Sequence, residues 1–91
     1  MGTALVKIKL MPKSPETDLE EIKQHAESII KKHNGSPART EEEPIAFGLR
    51  ALKIIFIMDE AKGSTQPLED ELSKIKGVMN VDVMEVRRAL G

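Results

Sequence analysis

The chain has 91 residues, enough for one domain spanning residues 1–91, at the small end of what holds a single core without staples. Cysteine is absent, which excludes disulfides and thiolate metal ligands. With 14 basic and 15 acidic side chains the net charge is −1, so no overall basic field points to nucleic acid. No apolar run approaches the roughly 20 residues that span a bilayer. The start alternates and carries two lysines, unlike a signal peptide, and Val6 stands where an N-myristoylation signal needs Ser or Thr. A cytoplasmic protein is expected.

Val6, Ile8 and Leu10 alternate with Lys7 and Lys9, which predicts a strand over residues 4–10 with one buried face. Thr17 and Glu20 have capping-box spacing ahead of a helix over residues 18–33. On it Leu19, Ile22, Ala26, Ile29, Ile30 and His33 follow helical spacing, and Asn34-Gly35 supplies the stop. A polar strand over residues 38–45 follows. Its Glu41, Glu42 and Glu43 suit a sheet edge, where charge discourages pairing with another sheet.

After a turn at Phe47-Gly48, Leu52, Ile54, Phe56 and Met58 share one face of the next strand. Ala51, Ile55 and Ile57 share the other, so the strand is central or offers an open face to a partner. Pro67 and Gly77 frame a second helix with Leu68, Leu72 and Ile75 inward. The last strand carries valines at 78, 81, 83 and 86, and the change of step after Val83 predicts a bulge.

The order β-α-β-β-α-β with right-handed crossovers predicts an α+β, ferredoxin-like sandwich. Four antiparallel strands in order 4-1-3-2 then carry both helices on one face. In that topology Phe47 and the Arg87-Arg88 pair lie at opposite ends of the sheet, about 20–25 Å apart at roughly 3.4 Å per residue.

Few residues suit covalent chemistry. His25 and His33 share a helix with no third metal ligand nearby, and neither Ser64 nor Ser73 has a nucleophile-elbow context. Gly63-Ser64-Thr65 lacks the spacing and lysine of a phosphate loop. No catalytic residue, metal or cofactor is expected. An RNA-recognition module of this fold needs exposed aromatics on its central strands, and a metallochaperone needs cysteines. Two features remain. Phe47, between Pro44 and Gly48, is either a staple folded under the sheet or an exposed anchor for a partner. Arg87-Arg88 is either a pair of solvated cations or a cationic finger aimed at phosphates or metal-holding carboxylates.

The run EEEPIAFGLRALKIIFIM, continued by VMNVDVMEVRR, resembles the archaeal elongation factor 1-beta family over essentially the whole chain. That family includes the C-terminal domain of the eukaryotic factor, with a related Pro-x-x-aromatic-Gly turn. The resemblance implies the ferredoxin-like fold and a guanine-nucleotide exchange factor. Its partner would be elongation factor 1-alpha, the GTPase that delivers aminoacyl-tRNA, on which it would promote GDP release and GTP loading. It implies a monomer without cofactor, covalent chemistry, membrane or direct nucleic-acid contact.

By position, Phe47 matches the aromatic that packs on the second domain of the GTPase in eukaryotic relatives, with Pro44, Ile45 and Gly48 forming its frame. Asp82-Val83 matches the Asp-Ile of the eukaryotic ending. This puts Arg88, with Arg87 beside it, where a lysine approaches the magnesium and phosphate region. Arginine there is a departure, bulkier and planar. An alternative of another class is a small-molecule-sensing regulatory domain of the same fold, dimeric through Ile55 and Ile57.

Overall fold

Six elements follow one another: β1 (Thr3–Pro12), α1 (Leu19–Lys32), β2 (Gly35–Pro44), β3 (Arg50–Asp59), α2 (Gln66–Ser73) and β4 (Val78–Ala89). The structure is a computed structural model and describes residues 3–59 and 66–89, with side chains described up to residue 87. The four strands form one antiparallel sheet in the order β2-β3-β1-β4. This is the expected ferredoxin-like order read from the other edge.

The period-two pattern decides which sheet face is buried. On β1 and β3, Val6, Ile8, Leu10, Leu52, Ile54 and Phe56 turn toward the helices and are almost fully buried. Ile22, Ala26 and Ile30 of α1 and Leu68 and Leu72 of α2 close over them into one core. Lys7, Lys9, Lys53 and Ile55 alternate with those residues and stand half-buried on the face away from the helices. Phe56 is thus a core residue, as its spacing predicts.

Several boundaries differ from the sequence expectation. The side chain that caps α1 is Asp18, whose Oδ1 accepts from the backbone N–H groups of Glu20 and Glu21, rather than Thr17. Thr17 instead accepts from the Ser14 N–H through Oγ1. Beyond the helix, Asn34 takes a positive φ of 65°, and the chain enters β2 at Gly35, earlier than the expected residue 38. A Cβ on Gly35 would lie 2.6 Å from Ile30 Cγ2, so only glycine lets the strand start this close beneath α1. Helix α2 ends at Ser73; Ile75 then donates its N–H to the Leu72 carbonyl, and Val78 to that of Ile75, in a tightened final turn. The bulge is where the valine spacing puts it. Lys7 pairs with Glu85 and Ile8 with Val83, leaving Met84 as the extra residue, and a second irregularity lies near Pro12.

The helices are also tied by charge. Glu71 of α2 lies 3.1 Å from Lys32 Nζ and 3.4 Å from His33 Nε2 at the end of α1. The latter contact is ionic only when the ring is protonated. The Lys32 hydrogen bond is the largest cause holding the Glu71 carboxyl below its ordinary 4.5. A carboxyl more acidic in the folded than in the unfolded chain stabilises the fold above its unfolded pKa. That contribution disappears as pH falls through the lower, folded value. Urea unfolding of wild type and Glu71→Gln should therefore differ at pH 6 and converge toward pH 3; a difference that persists unchanged at acid pH would mean the clasp is not carried by the carboxylate.

Candidate functional site

The β2–β3 connection is a tight turn closed by two backbone bonds. Ile45 donates its N–H to the Leu49 carbonyl at 2.8 Å, and Leu49 donates to the Ala46 carbonyl at 3.1 Å. The two residues inside the inner bond are Phe47 and Gly48, with φ of 59° and 78°. Positive φ at both central positions is the signature of a type I′ hairpin turn, whose twist matches that of the flanking strands. Glycine adopts it freely. Phenylalanine does not: the left-handed region costs a residue with a Cβ about 1–2 kcal/mol.

Nothing in the fold compensates through burial of the ring. Phe47 is 94% exposed, and Ile45 beside it 39%. Of the two readings left open by the sequence, the buried staple is therefore excluded. A bulky apolar side chain is held out from the molecule on strained backbone, a combination that gathers at functional sites rather than in turns built only for connection.

Ion pairs brace the base of this turn on both sheet faces. Arg50 Nη1 lies 3.3 Å from Glu42 Oε1. On the open face the Glu43 carboxylate bridges Lys53 Nζ at 3.4 Å and Lys9 Nζ at 3.6 Å. The Lys53 hydrogen bond and charge, then the charge of Lys9, hold the Glu43 carboxyl below its ordinary range. Glu41 turns instead to Arg39, at 2.9 Å. The three glutamates do sit on an edge strand, but reading them only as edge charges misses the bridge made by Glu43. Its signal was the alternation that puts Glu43, Lys53 and Lys9 on one face. An open cleft of about 520 Å³ lies beside the turn, lined by Pro15, Asp18, Glu42 and Arg50 among others.

The other expected residues lie at the far end. Arg87 pairs in register with Leu5, which in turn faces Ile57, whereas the last rung beside the turn is Pro44 with Arg50. Between Arg50 and Ile57 the sheet runs about 24 Å at roughly 3.4 Å per residue. The structure thus separates Phe47 from Arg87 as the topology predicts. Arg87 is well exposed and its guanidinium pairs with Glu85. The Arg88 backbone lies in register with Ala4; its side chain falls outside the described residues. His25 is exposed beside Glu21, and no group of three potential metal ligands exists among the described residues. Met79, Met84 and Val86, within β4, are exposed.

The strain at Phe47 can be weighed directly. Phe47→Asn, which suits the left-handed region, should raise folding stability by about 0.5–1 kcal/mol, read from the urea midpoint. A loss of more than about 2 kcal/mol would mean the ring contributes to the core after all.

Comparison with known proteins gives this geometry a family. The chain matches the EF-1 guanine nucleotide exchange domain over residues 5–89. It is 43% identical over 88 residues to an elongation factor 1-beta of Methanosarcina acetivorans, covering 97% of this chain and 99% of that protein. It is 41% identical over 90 residues to that of Methanothermobacter thermautotrophicus, covering 99% and 100%. Among solved structures it is similar to an ACT domain from the GTP pyrophosphokinase of Chlorobium tepidum. The TM-score is 0.60 at 16% identity, covering 88% of this chain and 96% of the other. The C-terminal domain of MgtC from Mycobacterium tuberculosis gives the same TM-score, 0.60, at 18% identity, covering 98% of this chain and 88% of the other. At such low identity these likenesses report the fold alone. The family match does more: the chain belongs to the EF-1 guanine nucleotide exchange domain family, and its function is guanine-nucleotide exchange on elongation factor 1-alpha.

Proposed function

We propose that the chain works as a single rigid exchange domain that touches elongation factor 1-alpha at two separated places. Phe47, framed by Pro44, Ile45 and Gly48, anchors one end on the GTPase. Arg87 and Arg88 at the other end act near the magnesium and phosphates of the nucleotide site. The observation that carries this reading is the exposed ring on left-handed backbone. Aromatic anchors of this kind supply a large share of binding energy at interfaces. The separation of the two ends supports a division of labour, since one spot on a partner cannot meet both.

Exchange then follows from linkage. A factor that favours a GTPase shape with a weakened hold on Mg²⁺ and GDP is itself bound less tightly when GDP is present. Mg²⁺ is held by few protein ligands together with phosphate oxygens, so a displaced switch element loosens the nucleotide. GTP loads by mass action. The domain forms no covalent bond, carries no cofactor, and acts as a monomer in the cytoplasm without contacting nucleic acid or membrane.

Release of labelled GDP from the cognate GTPase tests this reading. Substoichiometric chain should accelerate release, and raised Mg²⁺ should slow the accelerated reaction. Phe47→Ala should weaken binding to the nucleotide-free GTPase by about 2 kcal/mol or more without altering folding. Arg88→Ala should slow release more than it weakens binding. Unchanged affinity for the first variant would remove Phe47 from the interface; unchanged kinetics for the second would remove Arg88 as the acting cation.

A further inference from the structure

We propose that Glu43 is a positioning residue for the exchange reaction: its carboxylate, bridged to Lys9 and Lys53, holds the Phe47 turn in the orientation that meets the partner. The inference rests on the reading of Phe47 as the anchor.

The turn projects beyond the last rung, Pro44 with Arg50, so its angle to the sheet depends on what ties the hairpin base. Two side-chain ties exist among the described residues. Glu42–Arg50 joins β2 to β3 alone, between well-exposed side chains. Glu43 reaches both β3 through Lys53 and β1 through Lys9, and so connects the hairpin to the centre of the sheet. It is also the better sheltered tie, with the two lysine side chains only 22% and 20% exposed.

The lysines make this carboxylate necessary. Lys9 and Lys53 are directly opposite in the β1–β3 ladder, where like charges repel. Glu41, in register with Lys53, is engaged by Arg39. Asp82 stands opposite Lys9 in the β1–β4 ladder without forming an ion pair with it. Glu43 is therefore the carboxylate within ion-pair distance of either lysine among the described residues, and its loss leaves two half-buried ammonium groups facing one another. Their separation moves the strands from which the turn springs. Glu43 lies only four positions before Phe47.

The sequence provides a clean reporter, because the chain has no Trp and no Tyr. In the full chain carrying Phe47→Trp, time-resolved anisotropy of the indole reads the freedom of the turn. Adding Glu43→Gln should increase its local motion while the far-ultraviolet circular dichroism stays unchanged. In parallel, Glu43→Gln should weaken binding to the nucleotide-free GTPase about 3- to 10-fold when Phe47 is present, and less than about 2-fold in a Phe47→Ala background. The double variant Lys9→Gln with Lys53→Gln, which removes both arms of the bridge without leaving two like charges opposed, serves if Glu43→Gln does not fold. Unaltered indole motion, or an equal loss of affinity in both backgrounds, overturns the proposal. If Phe47→Ala alone leaves affinity intact, the anchor reading falls, and the anisotropy pair still decides whether Glu43 holds the turn.

Discussion

The antiparallel pairing of β1 with β3 is the constraint on which the rest of the molecule depends. From Thr3 opposite Asp59 to Leu10 opposite Leu52, the ladder runs without a register shift. A slip of one residue would exchange the faces of β3, sending Leu52, Ile54 and Phe56 to solvent and Lys53 under the helices. The same register puts Lys9 against Lys53, the pair that the Glu43 carboxylate bridges. It also sets the distance between the two ends of the molecule, because a continuous ladder does not stretch. Irregularity is confined to pairings nearer the sheet's edges, at Met84 and near Pro12 on the β4 side and between Pro37 and Arg39 on the β2 side.

The two phenylalanines occupy opposite environments. Phe56 is completely buried and fills the core beneath Gly35, whose missing Cβ lets α1 approach the sheet. Phe47 is almost completely exposed and sits on backbone that disfavours it. For a small domain with marginal stability, an unfavourable conformation and an apolar surface at one position are both costs. They fall where the hairpin is most strongly braced: two closing backbone bonds, a final rung at Pro44–Arg50, and ion pairs on both faces. On the proposed reading of Phe47 as an anchor, such bracing lowers the ordering cost when a partner covers the ring.

The fold itself carries none of this function. A similar sandwich appears in the ACT domain of a nucleotide-metabolising enzyme at 16% identity. A shared sandwich at that identity carries no shared activity, so function has to be argued from the side chains placed on it.

Much of the architecture was legible in the sequence because periodicity is a local property. Alternation along β1 and β3, helical spacing along α1, the valine step at the β4 bulge and the strand order through crossover handedness all follow from neighbours a few residues apart. The position of Phe47 between Pro44 and Gly48 marked a turn, and the spacing of the ends followed from strand length. Capping and helix ends were less legible: Asp18 and Thr17 are both good caps by type, and only the path of the Ser14–Asp18 loop selects between them. Whether the Phe47 ring turns in or out was beyond the residue pattern itself, where only the family resemblance implied an exposed anchor, because a turn residue's exposure depends on which hand of backbone its closing bonds enforce. The Glu43 bridge was beyond it for a similar reason. A charge on a strand shows its face, but which of three adjacent glutamates reaches two distant lysines is decided by the register of three strands brought together in space.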